Sequence, residues 1–236
     1  MTAIDVSDML TRGGSNAEIA TLLSNQKGFD RAAALKKGQT DEQIIKYLIT
    51  KTGNVRPVAG INMSKQHETE GNRQYRESRY GKAAKEYTLA IEYSGQNPVP
   101  YKLRADTYKQ YLKTNLIAAA KSGADNAALV DRSKALLCHA IQFDYTQAYD
   151  LNQKALAAIN ADTYLLSNKM NQDITNYEQD SKVTPYHIKS AERTHDQRRL
   201  RNLYQSQRAA IQAGVDIKAA TKDYEAVCQT KSKPAR

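Results

Sequence analysis

Residues 64–97 of the 236-residue chain read SKQHETEGNRQYRESRYGKAAKEYTLAIEYSGQN, and this stretch decides the fold. Small side chains (Gly71, Ala83 and Ala90) recur along it among large ones, most of which are tyrosines. Small residues allow two helices to approach closely, and aromatic rings fill the space beside them. The stretch therefore predicts two packed helices that meet near residues 78–80. Such a pair cannot bury its apolar face alone and needs helical neighbours.

The same stretch resembles the tetratricopeptide repeat (TPR) family in spacing and residue size. One period of about 34 residues after Ser64 falls at Pro98, and proline is favoured in the first turn of a helix. The resemblance is clear for residues 64–108 and degenerate to about residue 180. It is carried by Glu70-Gly71-Asn72, Tyr80-Gly81-Lys82-Ala83 and Tyr87-Thr88-Leu89-Ala90-Ile91, followed by Tyr101, Ala105 and Tyr108.

The pattern is weaker beyond residue 108. Residues 126–158 predict another helical pair, because Tyr145, Ala148 and Ala155 recover the second-helix spacing. Residues 162–180 then predict a separate helix that closes the stack, with Asp162 as its N-cap. We expect this repeat domain to span residues 61–181.

The resemblance implies a binding scaffold whose concave groove is lined by the first helix of each pair. The alternative is that these positions are ordinary solvated helix faces. Ten groove positions follow from the family pattern: Lys65, Glu68, Thr69, Asn72, Tyr75, Arg76, Lys102, Leu103, Asp106 and Lys109.

One class of TPR ligand disagrees with these residues. TPR co-chaperones hold the C-terminal carboxylate of a heat-shock chaperone with lysine, asparagine and arginine side chains. This chain keeps Asn72, but Glu68 stands where the lysine is expected and would repel a carboxylate. Leu103 replaces the asparagine of the next repeat. The sequence therefore argues against a chaperone tail as the ligand.

Residues 2–26 and 27–51 form an internal duplication. Each copy predicts a helix, a glycine that ends it, and a second helix that begins with a capping box. The result would be a four-helix module over residues 1–52, followed by a linker at residues 52–60. A docking module is the rival interpretation, although no residue selects a ligand. The features that carry this prediction are Gly13 and Gly38, the boxes Ser15/Glu18 and Thr40/Gln43, and the apolar faces Ile19, Leu22, Leu23 and Ile44, Tyr47, Leu48.

The net charge of +10 is concentrated near the end of the chain. Residues 182–236 contain 12 basic and 5 acidic side chains, whereas residues 1–181 contain 23 and 20. We expect basic helices over residues 186–230: one over 186–213 that Gly214 ends, and a last one capped by Asp216. The basic face is either solvated or contacts an acidic protein or phosphates. Its arginines are Arg193, Arg198, Arg199, Arg201 and Arg208.

Several classes of protein are excluded or disfavoured. The mean hydropathy is −0.71, and no apolar run approaches the roughly 20 residues that span a bilayer. No secretory signal begins the chain. Cys138 and Cys228 are too few for a disulfide scaffold, so the sequence predicts a reducing, cytoplasmic location and a small buried Cys138.

The sequence also lacks the patterns of common active sites. No phosphate-binding glycine loop, zinc-protease motif or nucleophile elbow occurs. We therefore predict no catalytic residue, metal site or cofactor, and no enzyme. The histidines show no metal-ligand spacing with one another or with Cys138; they are His67, His139, His187 and His195.

These observations predict an all-α protein: a short TPR-like stack, an N-terminal helical-hairpin duplication and a C-terminal basic helical segment. The leading functional prediction is a non-enzymatic adaptor or scaffold that binds one or more proteins. A second interpretation is a small subunit of a larger complex, such as a bacterial secretion or effector-delivery machine. A third is nucleic-acid contact through the arginine-rich helix, although no known nucleic-acid module is present.

Overall fold

A computed structural model describes residues 1–51, 60–116, 127–179 and 186–229. These residues form nine α-helices and a π-helical turn, and they contain no strand, so the predicted all-α class is confirmed for them. Two compact units are present: unit 1 is Met1–Tyr149 with Ile217–Arg236, and unit 2 is Asp150–Asp216. The helices are α1 Ala3–Thr11, α2 Asn16–Lys27, α3 Arg31–Lys36, α4 Asp41–Thr50, α5 Gly60–Arg76, α6 Tyr80–Tyr93, α7 Pro98–Tyr111, α8 Ala127–Gln179 and α9 Tyr186–Gln229; the π-helical turn is Leu112–Leu116.

The N-terminal duplication folds as its repeated residues predict. Gly13 and Gly38 adopt left-handed φ values of 86° and 81°, and both predicted capping boxes form. Helices α2 and α4 pack on each other and bury their repeated isoleucines and leucines. Leu22 and Tyr47 differ from the prediction, because they are 45% and 50% exposed.

Helices α5 and α6 form the antiparallel pair expected for residues 64–97, and Ser78 turns the chain between them with a φ of 59°. Gly71 is the point of closest approach. A methyl group added there would lie 2.5 Å from Cε1 of Tyr87, whose side chain is 1% exposed. Glycine is required at residue 71 because the Tyr87 ring occupies the space that a side chain there would need.

Helix α7 begins at Pro98 as predicted, and Asn97 caps it by accepting a hydrogen bond from the Val99 amide. Helix α1 packs against α6 and α7, and the Tyr111 hydroxyl donates to the Asp8 carboxylate. The Ser133 hydroxyl of α8 donates to the Ser7 carbonyl oxygen. The N-terminal module, helices α5 to α7 and the first part of α8 therefore share one compact unit.

Two predicted helix breaks are wrong. Helix α8 runs from Ala127 to Gln179, so residues 126–158 are not a pair, and Asp162 lies within the helix. Residues 127–179 contain no glycine or proline, and nothing in the backbone chemistry interrupts them. Residues 52–59 of the predicted 52–60 linker lie outside the described residues, and its last residue, Gly60, begins α5.

The second wrong break is in α9, which continues through Gly214 to Gln229, so Asp216 caps nothing. Gly214 is buried, and a methyl group there would lie 3.2 Å from Nδ2 of Asn152. Its missing side chain allows two helices to approach closely, which is a packing role that a glycine near an expected helix end does not reveal.

Unit 2 is an antiparallel pair of helices with the spacing of a coiled coil. Nδ2 of Asn152 donates to the Ala210 carbonyl oxygen at 2.9 Å, Gln207 contacts Asn160, and Lys169 pairs with Asp196. The less exposed positions recur at alternating steps of three and four residues, as knobs-into-holes packing requires. They are Asn152, Leu156, Ile159, Thr163, Leu166 and Met170 on α8, and Asp196, Leu200, Leu203, Gln207, Ala210 and Gly214 on α9.

Candidate protein-binding surfaces

Three of the predicted groove positions, Tyr75 of α5 and Lys102 and Lys109 of α7, interact with a fourth, Asp106. Its carboxylate accepts a 2.8 Å hydrogen bond from Lys102 and lies 3.7 Å from Nζ of Lys109. Burial, together with the charge of Asp106, raises the pKa of Tyr75 on α5. The hydroxyl of Tyr145 on α8, which sequence reasoning did not place here, donates to Asp106 at 2.6 Å.

Two groove positions of α5 are engaged within the protein. Oε1 of Glu68 accepts from Nδ2 of Asn97 at 2.8 Å and from the Ser64 hydroxyl at 3.4 Å, and burial raises the pKa of Glu68. Oδ1 of Asn72 accepts from the Tyr87 hydroxyl at 2.9 Å. These side chains connect helices to one another, which is a structural role.

The remaining groove positions differ in exposure. Lys65, Thr69 and Arg76 are exposed, and Leu103 is half-buried. Only the exposed positions offer a partner side chains that can be reached without disrupting helix packing.

The C-terminal part of α9 lies against the same region of unit 1. Asp223 accepts from Lys109 at 3.2 Å, and the rings of Tyr145 and Tyr224 pack edge to face at 6.3 Å. Nζ of Lys218 lies over the Tyr149 ring at 5.1 Å. The C-terminal part of α9 thus occupies one end of the predicted groove. These contacts link residues at least 69 positions apart, so no local sequence pattern predicts them.

The two cysteines form a disulfide, which the sequence did not predict. Cys138 and Cys228 are joined with their Cα atoms 6.0 Å apart, and Cys138 is half-exposed, not a buried apolar residue. Disulfides persist mainly in oxidising compartments. The predicted cytoplasmic location remains a prediction, and this bond weighs against a permanently reducing environment.

The structure describes the side chains of four of the five predicted arginines, and all four are exposed. The side chain of Arg193 lies outside the described residues. Arg199 points to a different side of α9 from Arg201, whereas Arg198 lies three residues before Arg201 and is its neighbour on the helix surface. Arg201 and Arg208, seven residues apart, are the pair that shares a stripe of α9.

That stripe contains apolar as well as basic side chains. Tyr204, Ile211 and Val215 are 45%, 49% and 55% exposed. An open depression of about 410 Å³ lies along the first half of this stripe, from Gln197 to Arg208. We call this surface the Arg–Tyr face; its α9 residues are Gln197, Arg201, Tyr204, Arg208, Ile211 and Val215.

Helix α8 contributes to the Arg–Tyr face as well. Asn160 accepts a 2.7 Å hydrogen bond from Gln207, the residue that precedes Arg208 of this face. Tyr164 follows Asn160 by four residues, so it lies on the same side, and it is 68% exposed. Asp162 is two residues from each and therefore points away. The face combines two tyrosines, two aliphatic side chains and two arginines.

The described ranges contain no group of three or more His, Cys, Asp or Glu side chains that could hold a metal ion. No helix in these ranges is long and apolar enough to cross a membrane. His67 contacts Glu86 at 2.8 Å and stacks on Tyr93, and burial lowers the pKa of His139. Both histidines are accounted for by packing within unit 1.

No protein family, curated protein or solved structure matches the chain.

Proposed function

We propose that the protein is a non-enzymatic protein–protein interaction scaffold, and that the Arg–Tyr face of unit 2 is its main contact surface. One observation carries the proposal: Tyr204, Ile211 and Val215 remain about half exposed on one helical stripe. Apolar side chains that share a stripe and stay in water are typical of interaction surfaces. Tyrosine and arginine are also the residues enriched in binding hot spots.

The predicted groove is the second contact surface in this proposal. Its support is the antiparallel α5–α6 pair with Gly71 against Tyr87, which has the size pattern of the TPR family. Lys65, Thr69 and Arg76 are its accessible positions. Fewer groove positions are accessible than the resemblance implies, because Asp106 contacts Tyr145 of α8 and Lys109 contacts Asp223 of α9.

The composition of unit 2 favours a scaffold that is a subunit of a larger complex. The row of residues between its two helices includes Asn152, Asp196, Gln207 and Gly214, which are polar or small. A coiled coil with such residues between its helices is less stable than one with leucine at every core position. A partner that covers the Arg–Tyr face would add the missing apolar contact area.

The proposal is tested by site-specific photo-cross-linking in the native cell. A photoreactive phenylalanine analogue replaces Tyr204 or Ile211 in the full-length chain. The matched control position is Asn202, which is exposed on another side of the same helix. We expect discrete adducts from positions 204 and 211 and none from position 202. The absence of adducts at all three positions would refute the scaffold function for this face.

Nucleic-acid binding receives no comparable support. The described arginines of α9 are not all in one phosphate-binding row, because Arg199 points to another side of the helix from Arg201 and Arg208. Contact with a nucleic acid would show an affinity that falls steeply with salt and is lost when residues 182–236 are removed.

A further inference from the structure

We propose that the Arg–Tyr face binds a single amphipathic α-helix that carries carboxylates seven residues apart, and that this helix completes a three-helix coil with unit 2. The inference deepens the proposed scaffold function and depends on it. The exposure of Tyr204 and its neighbours indicates a contact surface, and the inference adds that the partner is an acidic helix.

The shape of the face selects a helix. Its α9 residues recur at steps of four and three, from Gln197 to Val215, which is the spacing that a neighbouring helix fills in a coiled coil. Nineteen residues at 1.5 Å per residue extend over roughly 28 Å. Tyr164 of α8 borders the same face, so an occupant would contact both helices of unit 2.

The charges of the face select an acidic occupant. The guanidinium groups of Arg201 and Arg208 make no ion pair or hydrogen bond with any residue that the structure describes. Residues 197–215 contain no aspartate or glutamate, and Asp162 points to another side of α8. Asp150 shares the α8 stripe of Tyr164, but it makes no ion pair with Arg201 or Arg208. The two guanidinium groups stand two helical turns apart, so carboxylates seven residues apart on a neighbouring helix would meet both.

The same charges disfavour a second copy of this chain. If two Arg–Tyr faces met, four guanidinium groups would approach each other with no carboxylate of either face among them. The homodimer is therefore an outcome that the experiment distinguishes from the proposal.

The experiment uses a displayed library of helical 21-residue peptides. The peptides are apolar at coiled-coil core positions and carry Glu or Lys at every other position. The library is selected on the full-length, folded chain at low salt. We expect Glu to be enriched about tenfold over Lys at two positions seven residues apart.

Matched variants assign the selection to particular arginines. In R201E/R208E the preference should invert, so that Lys is enriched at the same two positions. In R199E, which reverses one charge on another side of α9, the preference for Glu should persist, whereas R201E alone should weaken it. Circular dichroism verifies that each variant keeps its helicity.

Several results would overturn the proposal. They are a selection in which no peptide is enriched, a preference for Glu that R201E/R208E leaves unchanged, or enriched carboxylates at a spacing other than seven residues. Sedimentation that shows a dimer of the full chain, abolished by I211E, would assign the face to a second copy. If cross-linking at position 204 finds a partner but the library selects nothing, the scaffold function stands and the acidic helix is refuted.

Discussion

Arg104 of α7 and Asp144 of α8 form a buried ion pair with two parallel hydrogen bonds. Nε and Nη2 of the guanidinium lie 2.9 and 2.8 Å from the two carboxylate oxygens, and Nη1 donates to the Thr88 hydroxyl at 3.0 Å. The two side chains are only 3% and 1% exposed. The pair joins α7, α6 and α8 within unit 1.

We expect the loss of one partner to cost more than the loss of both. D144A leaves Arg104 charged and unpaired in the interior, which should lower the free energy of unfolding by about 3–5 kcal/mol. The double variant R104M/D144L replaces the pair with apolar side chains and should cost far less. Urea denaturation followed by circular dichroism measures both. Equal losses in the two variants would contradict this account.

The approach of Gly71 to Tyr87 makes α5 intolerant of a side chain at that position. G71A places a methyl group 2.5 Å from Cε1 of Tyr87, so the ring must move. We expect a loss of about 1–3 kcal/mol in unfolding free energy, as is usual for overpacked cores. G81A is the control, because its methyl group would meet nothing nearer than Ile4 at 3.8 Å. A thermal melt should show G71A destabilised and G81A unchanged or slightly stabilised.

The Cys138–Cys228 disulfide should contribute to stability. The residues are 90 positions apart, and closing a loop of that length restricts the unfolded chain strongly. We expect C138S/C228S to lose about 2–4 kcal/mol of unfolding free energy relative to the oxidised protein. Alkylation of unfolded, unreduced protein followed by mass spectrometry checks the bond itself. Two alkylated cysteines in that experiment would show that the bond is absent.

Glu68 and Glu70, both on α5, should affect stability in opposite directions as pH changes. Burial raises the pKa of Glu68 above its usual 4.5, so its favourable contribution is present below that pKa and lost as pH rises through the raised value. E68Q should therefore gain stability over wild type at pH 7, by a few tenths of a kcal/mol after solvent screening, and lose that advantage near pH 4.

Glu70 is the matched control for this pH dependence. Hydrogen bonds from Arg73 lower the pKa of Glu70 to about 2. Its contribution is therefore present above the usual pKa of 4.5 and lost as pH falls through about 2. E70Q should be less stable than wild type at pH 7 and equal to it near pH 2. Denaturation midpoints measured from pH 2 to 8 test both variants, and parallel pH curves would contradict both assignments.

Local patterns predicted much of unit 1. The capping box of Ser15 and Glu18, the left-handed Gly13 and Gly38, and the start of α7 at Pro98 depend on residues within a few positions of each other. For these features the chemistry of the cap or turn decides the backbone conformation, so the sequence was sufficient.

The failures concern contacts between distant segments. Asp162 and Gly214 have the residue types of helix ends, but packing within unit 2 keeps both inside long helices. The steps of three and four residues from Gln197 to Val215 were present in the sequence. The sequence could not show that Tyr204 and Ile211 stay exposed, because packing against α8 decides which stripe of α9 is buried.

The disulfide also determines what a protease can release. Residues 139–227 form a covalent ring closed by Cys138 and Cys228, and the whole of unit 2 belongs to that ring. A single peptide-bond cleavage inside it would leave one molecule, with both fragments still attached. A fragment would separate only after reduction, so a nicked form of this protein and an intact one would migrate alike until the sulfur–sulfur bond is broken.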